Sequence, residues 1–215
     1  MSDLIPIPSP GVPLYRGTPG SPLVVLVHDW FGRLPSLERV ADSFAAAGFW
    51  VAVPDLYNGV ATTDPVEAER LMNGLDVGIA LAELDDIITD ARAQGSTRVG
   101  VVGFSIGGWL TLLHAQGGSA DAVVAYYASL APKDHGVIPS PVLLQYAETD
   151  VWADDEDPDS FIERLNEHGT PVTRHTYLGT EHSFANASID ELHNARATEL
   201  ARARTEAFLA SHLFD

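Results

Sequence analysis

The chain has 215 residues, a hydrophobic content of 46% and a net charge of −18, and it contains no cysteine. This length and composition predict one globular domain over residues 1–215 with a sizeable core. So acidic a chain repels phosphate-rich partners, which argues against nucleic acid and anionic membranes, and the lack of cysteine excludes disulfides and thiol catalysis.

The N-terminal segment carries no recognisable targeting sequence. Residues 1–13 contain neither a basic start nor an apolar core region, so we expect no signal peptide. No apolar run approaches the length needed to span a membrane. The chain is therefore expected to be cytoplasmic, and nothing in the sequence specifies its oligomeric state.

Short apolar runs alternate with helical patterns along most of the chain. The runs are typical of buried strands and lie at residues 23–27, 50–53, 99–102, 121–127, 141–146 and 171–177. The helical patterns are a helix from an N-cap at Ser36 to Gly48, residues 65–93 with breaks near Gly74 and Gly78, and residues 109–114, 160–168 and 191–214. Loops are predicted over residues 55–64, 150–159 and 179–186, and one or two short edge strands within residues 1–22.

This alternation predicts an α/β fold with a mostly parallel sheet, helices on both faces and no inserted lid domain. Active sites of such sheets lie at the carboxyl ends of the strands.

The segment Gly103-Phe104-Ser105-Ile106-Gly107 lies between a predicted strand and a predicted helix. A serine on so tight a turn has a strained backbone and an exposed hydroxyl, and glycines flank it because side chains there would collide. The following helix N-terminus favours developing negative charge. A glycine-rich turn with an incidental serine has the same pattern, but the flanking strand and helix favour a nucleophile at Ser105.

An acid and a histidine follow later predicted strands. Asp150 comes directly after the strand at residues 141–146, and His182 lies between the last strand and the last helix. The order Ser105, Asp150, His182 is that of α/β-hydrolase triads, in which the histidine transfers the proton and the acid orients the imidazole. Asp150 has nearby competitors, which otherwise form a solvated acidic loop: Asp154, Asp155 and Asp157.

Two backbone N–H groups are expected to form an oxyanion hole. One belongs to Ile106, the residue after the nucleophile, and the other lies around Trp30 in the loop after the first strong strand. No His-Gly-Gly-Gly loop is present. Six aromatic residues are candidates for an apolar pocket, although each is also an ordinary core residue: Trp30, Phe31, Tyr57, Trp109, Trp152 and Phe184.

Metal and phosphate sites are poorly supported. His28, Asp29, Asp150, Glu181 and His182 match no zinc spacing. The segment at residues 103–108 lacks both the lysine of a phosphate loop and the dinucleotide-binding spacing. We therefore predict neither a metal nor a cofactor.

From about residue 23 onward the chain resembles the dienelactone hydrolase family of α/β-hydrolases. The resemblance rests on His28-Asp29-Trp30-Phe31-Gly32, Pro54-Asp55-Leu56-Tyr57, Gly103-Phe104-Ser105-Ile106-Gly107-Gly108, Tyr126-Tyr127, Asp150 and Gly179-Thr180-Glu181-His182-Ser183-Phe184-Ala185-Asn186. It implies a lidless hydrolase of lactones or small esters that needs no cofactor.

Three features depart from the pattern of that family. Ser105 stands where the best-known members have a cysteine. Asp29 stands where members often have glutamate, and it either steers the resting nucleophile, shapes the pocket or caps the loop. Gly59 and Asn186 stand where arginines hold the carboxylate of dienelactone, so the comparison favours an uncharged ester or another lactone.

The sequence thus predicts a serine hydrolase that acts on a small ester or lactone through an acyl-enzyme. Asp29, Tyr57 and Phe184 are further candidates for steering the nucleophile or lining the pocket. The alternatives are an acyl transferase or peptidase on the same fold, and a non-catalytic binding protein. A complete candidate triad speaks against the last, because binding alone does not require one.

Overall fold

The computed structural model describes residues 4–8, 10–152 and 157–214. The strands are β1 (Leu4–Pro6), β2 (Leu14–Arg16), β3 (Leu23–Val27), β4 (Trp50–Val53), β5 (Val60–Thr62), β6 (Val99–Phe104), β7 (Ala122–Tyr126), β8 (Val142–Thr149) and β9 (Val172–Glu181). The helices are α1 (Pro35–Ala46), α2 (Pro65–Asn73), α3 (Val77–Ala93), α4 (Ile106–Ala115), α5 (Pro158–Glu167) and α6 (Ala195–Leu213), with a 3-10 turn at Pro132–Asp134.

Seven strands form the main sheet in the order β2-β4-β3-β6-β7-β8-β9. Only β2 runs antiparallel, against β4, and the other neighbours pair in parallel. A separate antiparallel pair joins β1 to β5. The predicted mostly parallel α/β sheet is confirmed, and no further domain is inserted among the described elements.

Both faces of the central strands are buried, and for this reason the sequences of these strands are continuous apolar runs. In β3, Val24 and Leu26 face a core shared with α1 and α6, whereas Val25 and Val27 face a core shared with α3, α4 and α5. Successive strand side chains point to opposite faces, so one uninterrupted run supplies both cores.

Four predicted boundaries are wrong. The expected loop at residues 55–64 contains β5, which exists because it pairs with β1. α1 begins at Pro35, and Ser36 is a buried helix residue rather than the N-cap. Gly78 lies inside α3, which Asp76 caps, so the helical stretch breaks once, between α2 and α3.

The fourth error concerns the last strand and the last helix. β9 continues through Tyr177 to Glu181, into the predicted loop, by pairing with an equally extended β8. α6 begins later than predicted, at Ala195, where Asn194 caps it by accepting a hydrogen bond from the Ala197 N–H.

None of the helices in the described ranges combines the length and the apolarity needed to cross a lipid bilayer. The single domain over residues 1–215 and the cytoplasmic location stay predictions of the sequence.

Candidate active site

Ser105 occupies the sharp turn between β6 and α4. Its backbone has a φ of 54° and a ψ of −120°, a conformation that residues other than glycine rarely adopt. A Cβ on residue 103 would lie 2.1 Å from the carbonyl oxygen of Gly107, so the turn closes only because residue 103 is glycine. The Ser105 N–H donates to the carbonyl oxygen of Tyr126 at 3.0 Å, which anchors the turn to β7.

Three side chains from three strand ends form a continuous chain of hydrogen bonds. Ser105 Oγ lies 2.7 Å from His182 Nε2, and His182 Nδ1 lies 2.8 Å from each carboxylate oxygen of Asp150. A carboxylate accepts, so the neutral imidazole carries its proton on Nδ1 and Nε2 accepts the Ser105 hydroxyl proton. The His182 and Asp150 side chains are each 14% exposed. The structure thus brings together the three residues predicted as a triad.

The Asp150 carboxylate is held in place by its own loop. Its Oδ1 also accepts a hydrogen bond from the Trp152 N–H at 3.0 Å. Of the competing acids, Asp157 caps α5 by accepting from the N–H groups of Asp159 and Ser160. The other two, Asp154 and Asp155, lie outside the described residues.

The loop after β3 presents a backbone N–H beside Ser105. Within it, the Phe31 N–H donates to Asp29 Oδ1 at 2.9 Å and the Gly32 N–H donates to the Asp29 carbonyl at 3.1 Å. Among the residues that the structure describes, none accepts from the N–H of Trp30 or of Ile106. Both residues line the cavity in front of Ser105.

Gly107 brings these two donors close together. A Cβ there would lie 2.3 Å from the carbonyl oxygen of His28, so the first turn of α4 packs directly on the end of β3. Trp30 lies two residues beyond that contact and Ile106 lies one residue before Gly107. The arrangement suits an oxyanion hole, because two N–H groups without an acceptor among the described residues lie on adjoining segments beside Ser105.

Asp29 caps its own loop, the loop after β3. Its side chain is buried, and Oδ2 accepts a hydrogen bond from Asn186 Nδ2 at 2.8 Å. Burial raises the pKa of Asp29 to about 6, although the hydrogen bonds from Asn186 and Phe31 oppose this and His182 does so electrostatically. The sequence left three roles open for Asp29: steering the nucleophile, shaping the pocket or capping the loop. Its hydrogen bonds correspond to capping the loop.

A cavity of about 460 Å³ opens in front of Ser105, within the size range of small-molecule sites. Its lining includes tryptophan and tyrosine rings. The residues that line it are Trp30, Met72, Ser105, Ile106, Trp109, Tyr127, Ala128, Ser129, Tyr146, Ala147, Glu148, Asp150, Trp152, Pro158, Arg174, Thr176 and His182. Trp152 packs edge-on against Trp30 with ring centroids 5.4 Å apart. Tyr127 packs against His182 at 4.9 Å, and burial raises the pKa of Tyr127 well above its ordinary value, which keeps the phenol neutral.

Three of the predicted pocket residues lie elsewhere. Phe184 is fully buried against Tyr177, and Tyr57 packs on the His28 ring at 4.8 Å. Neither lines the cavity, because the loops that carry them turn these rings into the core. Phe31 is also a core residue, beside Leu34.

The cavity has a polar wall that was not predicted from the sequence, formed by Ser129, Tyr146, Arg174 and Thr176. Arg174 stacks on Tyr146, with its guanidinium carbon 5.7 Å from the ring centroid, and it forms an ion pair with Asp159. Tyr146 OH lies 2.8 Å from Ser129 Oγ. Arg174 and Thr176 are two residues apart on β9 and therefore face the same side. The sequence shows this alternation, so it could have predicted that the two side chains share a face. It could not show that this face lines the cavity, because that depends on the position of β9 beside β8.

In the described ranges, no group of three or more histidine, aspartate or glutamate side chains is arranged to hold a metal ion. The acidic and basic side chains that line the cavity belong to Glu148, Asp150, Arg174 and His182.

Comparison with known proteins places the chain in a family and supports its fold. A sequence profile of the dienelactone hydrolase family matches residues 13–213. The chain is 28% identical over 214 residues to protein usf of Aquifex pyrophilus, covering 93% of each protein. It is 28% identical over 213 residues to carboxymethylenebutenolidase 1 of Cupriavidus pinatubonensis, covering 91% of this chain and 90% of that protein.

Among solved structures, a dienelactone hydrolase-like promiscuous phosphotriesterase from metagenomic libraries superposes with a TM-score of 0.81 at 20% identity, covering 95% of this chain and all of that one. The fold agrees over nearly the whole chain, and the family profile spans both the turn at Ser105 and the loop that carries His182. The chain is therefore an α/β-hydrolase-fold enzyme that belongs to the dienelactone hydrolase family.

Proposed function

We propose that this protein hydrolyses a small ester or lactone through an acyl-enzyme formed on Ser105. The observation that carries the proposal is the hydrogen-bond chain from Ser105 Oγ through His182 to Asp150, with an open cavity in front of it. A nucleophile, a base within hydrogen-bond reach and a group that orients the base are the requirements for covalent acyl transfer.

In the first half of the reaction, Ser105 Oγ attacks the carbonyl carbon while its proton passes to His182 Nε2. Asp150 accepts the hydrogen bond from Nδ1–H and so stabilises the imidazolium that forms. The negative charge on the carbonyl oxygen is held by the N–H groups of Trp30 and Ile106. When the carbon–oxygen bond of the leaving group breaks, His182 returns the proton to the departing alkoxide.

In the second half, water enters and His182 removes a proton from it as it attacks the acyl-enzyme. The same two N–H groups hold the second oxyanion, and the proton returns to Ser105 Oγ as the acid leaves. For a lactone the alcohol remains part of the acyl group, so one ring-opened hydroxy acid is the single product.

The cavity supports a small, largely uncharged substrate. Trp30, Trp109 and Trp152 offer apolar faces close to the nucleophile. The positive charge of Arg174 is paired with Asp159. Asn186 is turned away from the cavity and bonded to Asp29, and it supplies no charge to a substrate carboxylate. Relatives named as a carboxymethylenebutenolidase and as a probable lactonase support ester or lactone chemistry.

The experiment compares the wild type with Ser105→Ala on short-chain p-nitrophenyl esters, beside a panel of simple lactones. Ser211→Ala is the matched control, because Ser211 is exposed on α6. We expect a stoichiometric burst of nitrophenol and steady turnover in the wild type and the control. Ser105→Ala is expected to lose at least about 10³-fold in kcat. Equal turnover in Ser105→Ala would refute the mechanism, and a folded wild type without turnover on any substrate would favour the non-catalytic alternative.

A further inference from the structure

His28, at the end of β3, is held in one tautomer by two backbone groups. Its Nδ1 lies 2.7 Å from the carbonyl oxygen of Asp29, and its Nε2 accepts a hydrogen bond from the Leu56 N–H at 3.2 Å. A carbonyl oxygen only accepts and a backbone N–H only donates. The ring proton must therefore be on Nδ1, and Nε2 must carry no proton. The two contacts are therefore satisfied together by a single neutral form of the ring.

The surroundings of His28 keep this ring uncharged. It is 2% exposed and packs on Tyr57. Burial lowers the pKa of His28 to about 4, and Arg33 adds to this, while the Asp29 carbonyl and the negative charge of Asp55 oppose it. At neutral pH the imidazole is thus a fixed donor on one side and a fixed acceptor on the other.

The carbonyl that His28 holds belongs to the same peptide unit as the N–H of Trp30. Every peptide bond of the described residues is trans, so the C=O and the N–H of this unit point in opposite directions. The Gly32 N–H donates to the same carbonyl oxygen at 3.1 Å. With its oxygen fixed from two sides, the peptide plane cannot rotate freely, and the Trp30 N–H is directed away from His28.

We propose that His28 is the positioning residue of the oxyanion hole, which aims the Trp30 N–H at the reacting carbonyl oxygen by holding the other end of its peptide bond. This inference rests on the proposed acyl-enzyme function. His28 touches no reacting atom. It acts through the Asp29–Trp30 peptide, so its effect must appear where oxyanion stabilisation matters and not in ground-state binding.

The test uses two variants of His28 in the full-length protein. His28→Phe keeps a ring against Tyr57 but removes both nitrogens, and His28→Asn keeps a short side chain with a donor near the position of Nδ1. We expect His28→Phe to lower kcat about 10- to 100-fold with KM within about threefold, since a displaced oxyanion donor costs that order. His28→Asn is expected to recover most of the loss.

An aryl boronic acid reports the oxyanion hole directly, because its tetrahedral adduct with Ser105 resembles the transition state. Its inhibition constant should rise in His28→Phe by the same factor by which kcat/KM falls. His114→Phe is the matched control. His114 is an equally buried histidine, bonded to Asp85, that does not line the cavity, so this variant should keep wild-type kcat and boronate affinity.

Two results would overturn the inference while leaving the proposed function intact: wild-type kcat in folded His28→Phe, or unchanged boronate affinity in it. A wild type without esterase or lactonase turnover would instead refute the proposed function, and the inference with it. If neither variant folds, ¹⁵N NMR of the wild type tests the proposal by determining which nitrogen of His28 carries the proton. A protonated Nδ1 and a bare Nε2 at His28 are required, and the opposite tautomer contradicts the proposal.

Discussion

Asn186 Nδ2 donates a hydrogen bond of 2.8 Å to Asp29 Oδ2 and thereby joins the loop after β9 to the loop after β3. On its other side, Asn186 Oδ1 accepts from Ser36 Oγ at 3.0 Å and from the Ser188 N–H at 2.9 Å. Donor and acceptor sides are both used, so the amide has one orientation. A single buried side chain therefore connects the loop that carries Trp30, the loop that carries His182, and α1.

The buried Asp29 carboxylate should make stability depend on pH. Burial raises the pKa of Asp29 from 3.8 to about 6, so the folded protein binds this proton more tightly than the unfolded chain. The stability that the proton contributes is complete below pH 3.8 and is lost as the pH rises through about 6. Asp29→Asn lacks this titration, so its free energy of unfolding should gain about 2 to 3 kcal/mol relative to wild type between pH 4 and pH 7.5.

Urea unfolding of both proteins across that pH range measures the difference. The remaining titrations are shared by the two proteins and cancel in the comparison. A gap between wild type and Asp29→Asn that stays constant with pH would contradict the raised pKa of Asp29.

Replacing Asp150 by asparagine should impair chemistry without impairing binding. The asparagine oxygen can still accept from the Trp152 N–H, but the side chain no longer stabilises the His182 imidazolium and favours the wrong tautomer. We expect kcat to fall about 10³- to 10⁴-fold, with KM within about threefold. Steady-state kinetics on a p-nitrophenyl ester provides the measurement.

Asp157→Asn is the matched control, since Asp157 is an exposed acid of the same loop that caps α5 and does not contact His182. It should keep wild-type kcat. A comparable loss in both variants would point to a general effect of the loop and against Asp150 as the partner of His182.

The strained turn at Ser105 should cost stability that a glycine recovers. With a φ of 54° and a ψ of −120°, the turn penalises any residue that carries a Cβ. We expect Ser105→Gly to be more stable than Ser105→Ala by about 1 kcal/mol, after allowing for the entropy of glycine in the unfolded chain. Thermal and urea unfolding of the two inactive variants tests this, and equal stability would show that the turn relaxes around the alanine.

Gly107 should tolerate no side chain. An added Cβ would meet the carbonyl oxygens of His28 and Val27 at 2.3 and 2.6 Å, so α4 would have to move away from β3. We expect Gly107→Ala to lose more than about 2 kcal/mol of stability. The oxyanion hole should also be impaired, because Ile106 would shift with the helix.

Gly74→Ala is the matched control for Gly107→Ala, because the space around Gly74 can accommodate a Cβ. A Cβ there makes only ordinary contacts of 3.5 Å, and the backbone φ is −89°. Urea unfolding should leave Gly74→Ala within about 0.5 kcal/mol of wild type. A similar loss in both variants would show that glycine flexibility, rather than the close approach at Gly107, determines the result.

Features that depend on neighbouring residues were predictable from the sequence. The apolar runs that became β3, β4, β6 and β7 are buried on both faces, and such burial leaves an unbroken apolar pattern in the chain. The glycines around Ser105 are required by a turn of a few residues, so their spacing shows it directly. The order of Ser105, Asp150 and His182 was also readable, since each follows a strand in the same parallel sheet.

Features that depend on distant pairing were not predictable. β5 exists through its pairing with β1, and β9 extends past its apolar run because β8 lies beside it. Ser36 was misassigned as a helix cap because its partner, Asn186, is 150 residues away. A local pattern contains no information about which remote group will satisfy a polar side chain.

The sequence by itself therefore determined the fold class, the sharp turn at Ser105 and the candidates for its partners, because periodicity, turn chemistry and strand order depend on residues that are close together in the chain. The tertiary structure alone decided which atoms meet. It gave the hydrogen-bond chain through His182, the polar wall formed by Arg174 and Tyr146, and the fixed peptide between Asp29 and Trp30. Each of these depends on segments far apart in the chain being brought within hydrogen-bond or packing distance at one edge of the sheet.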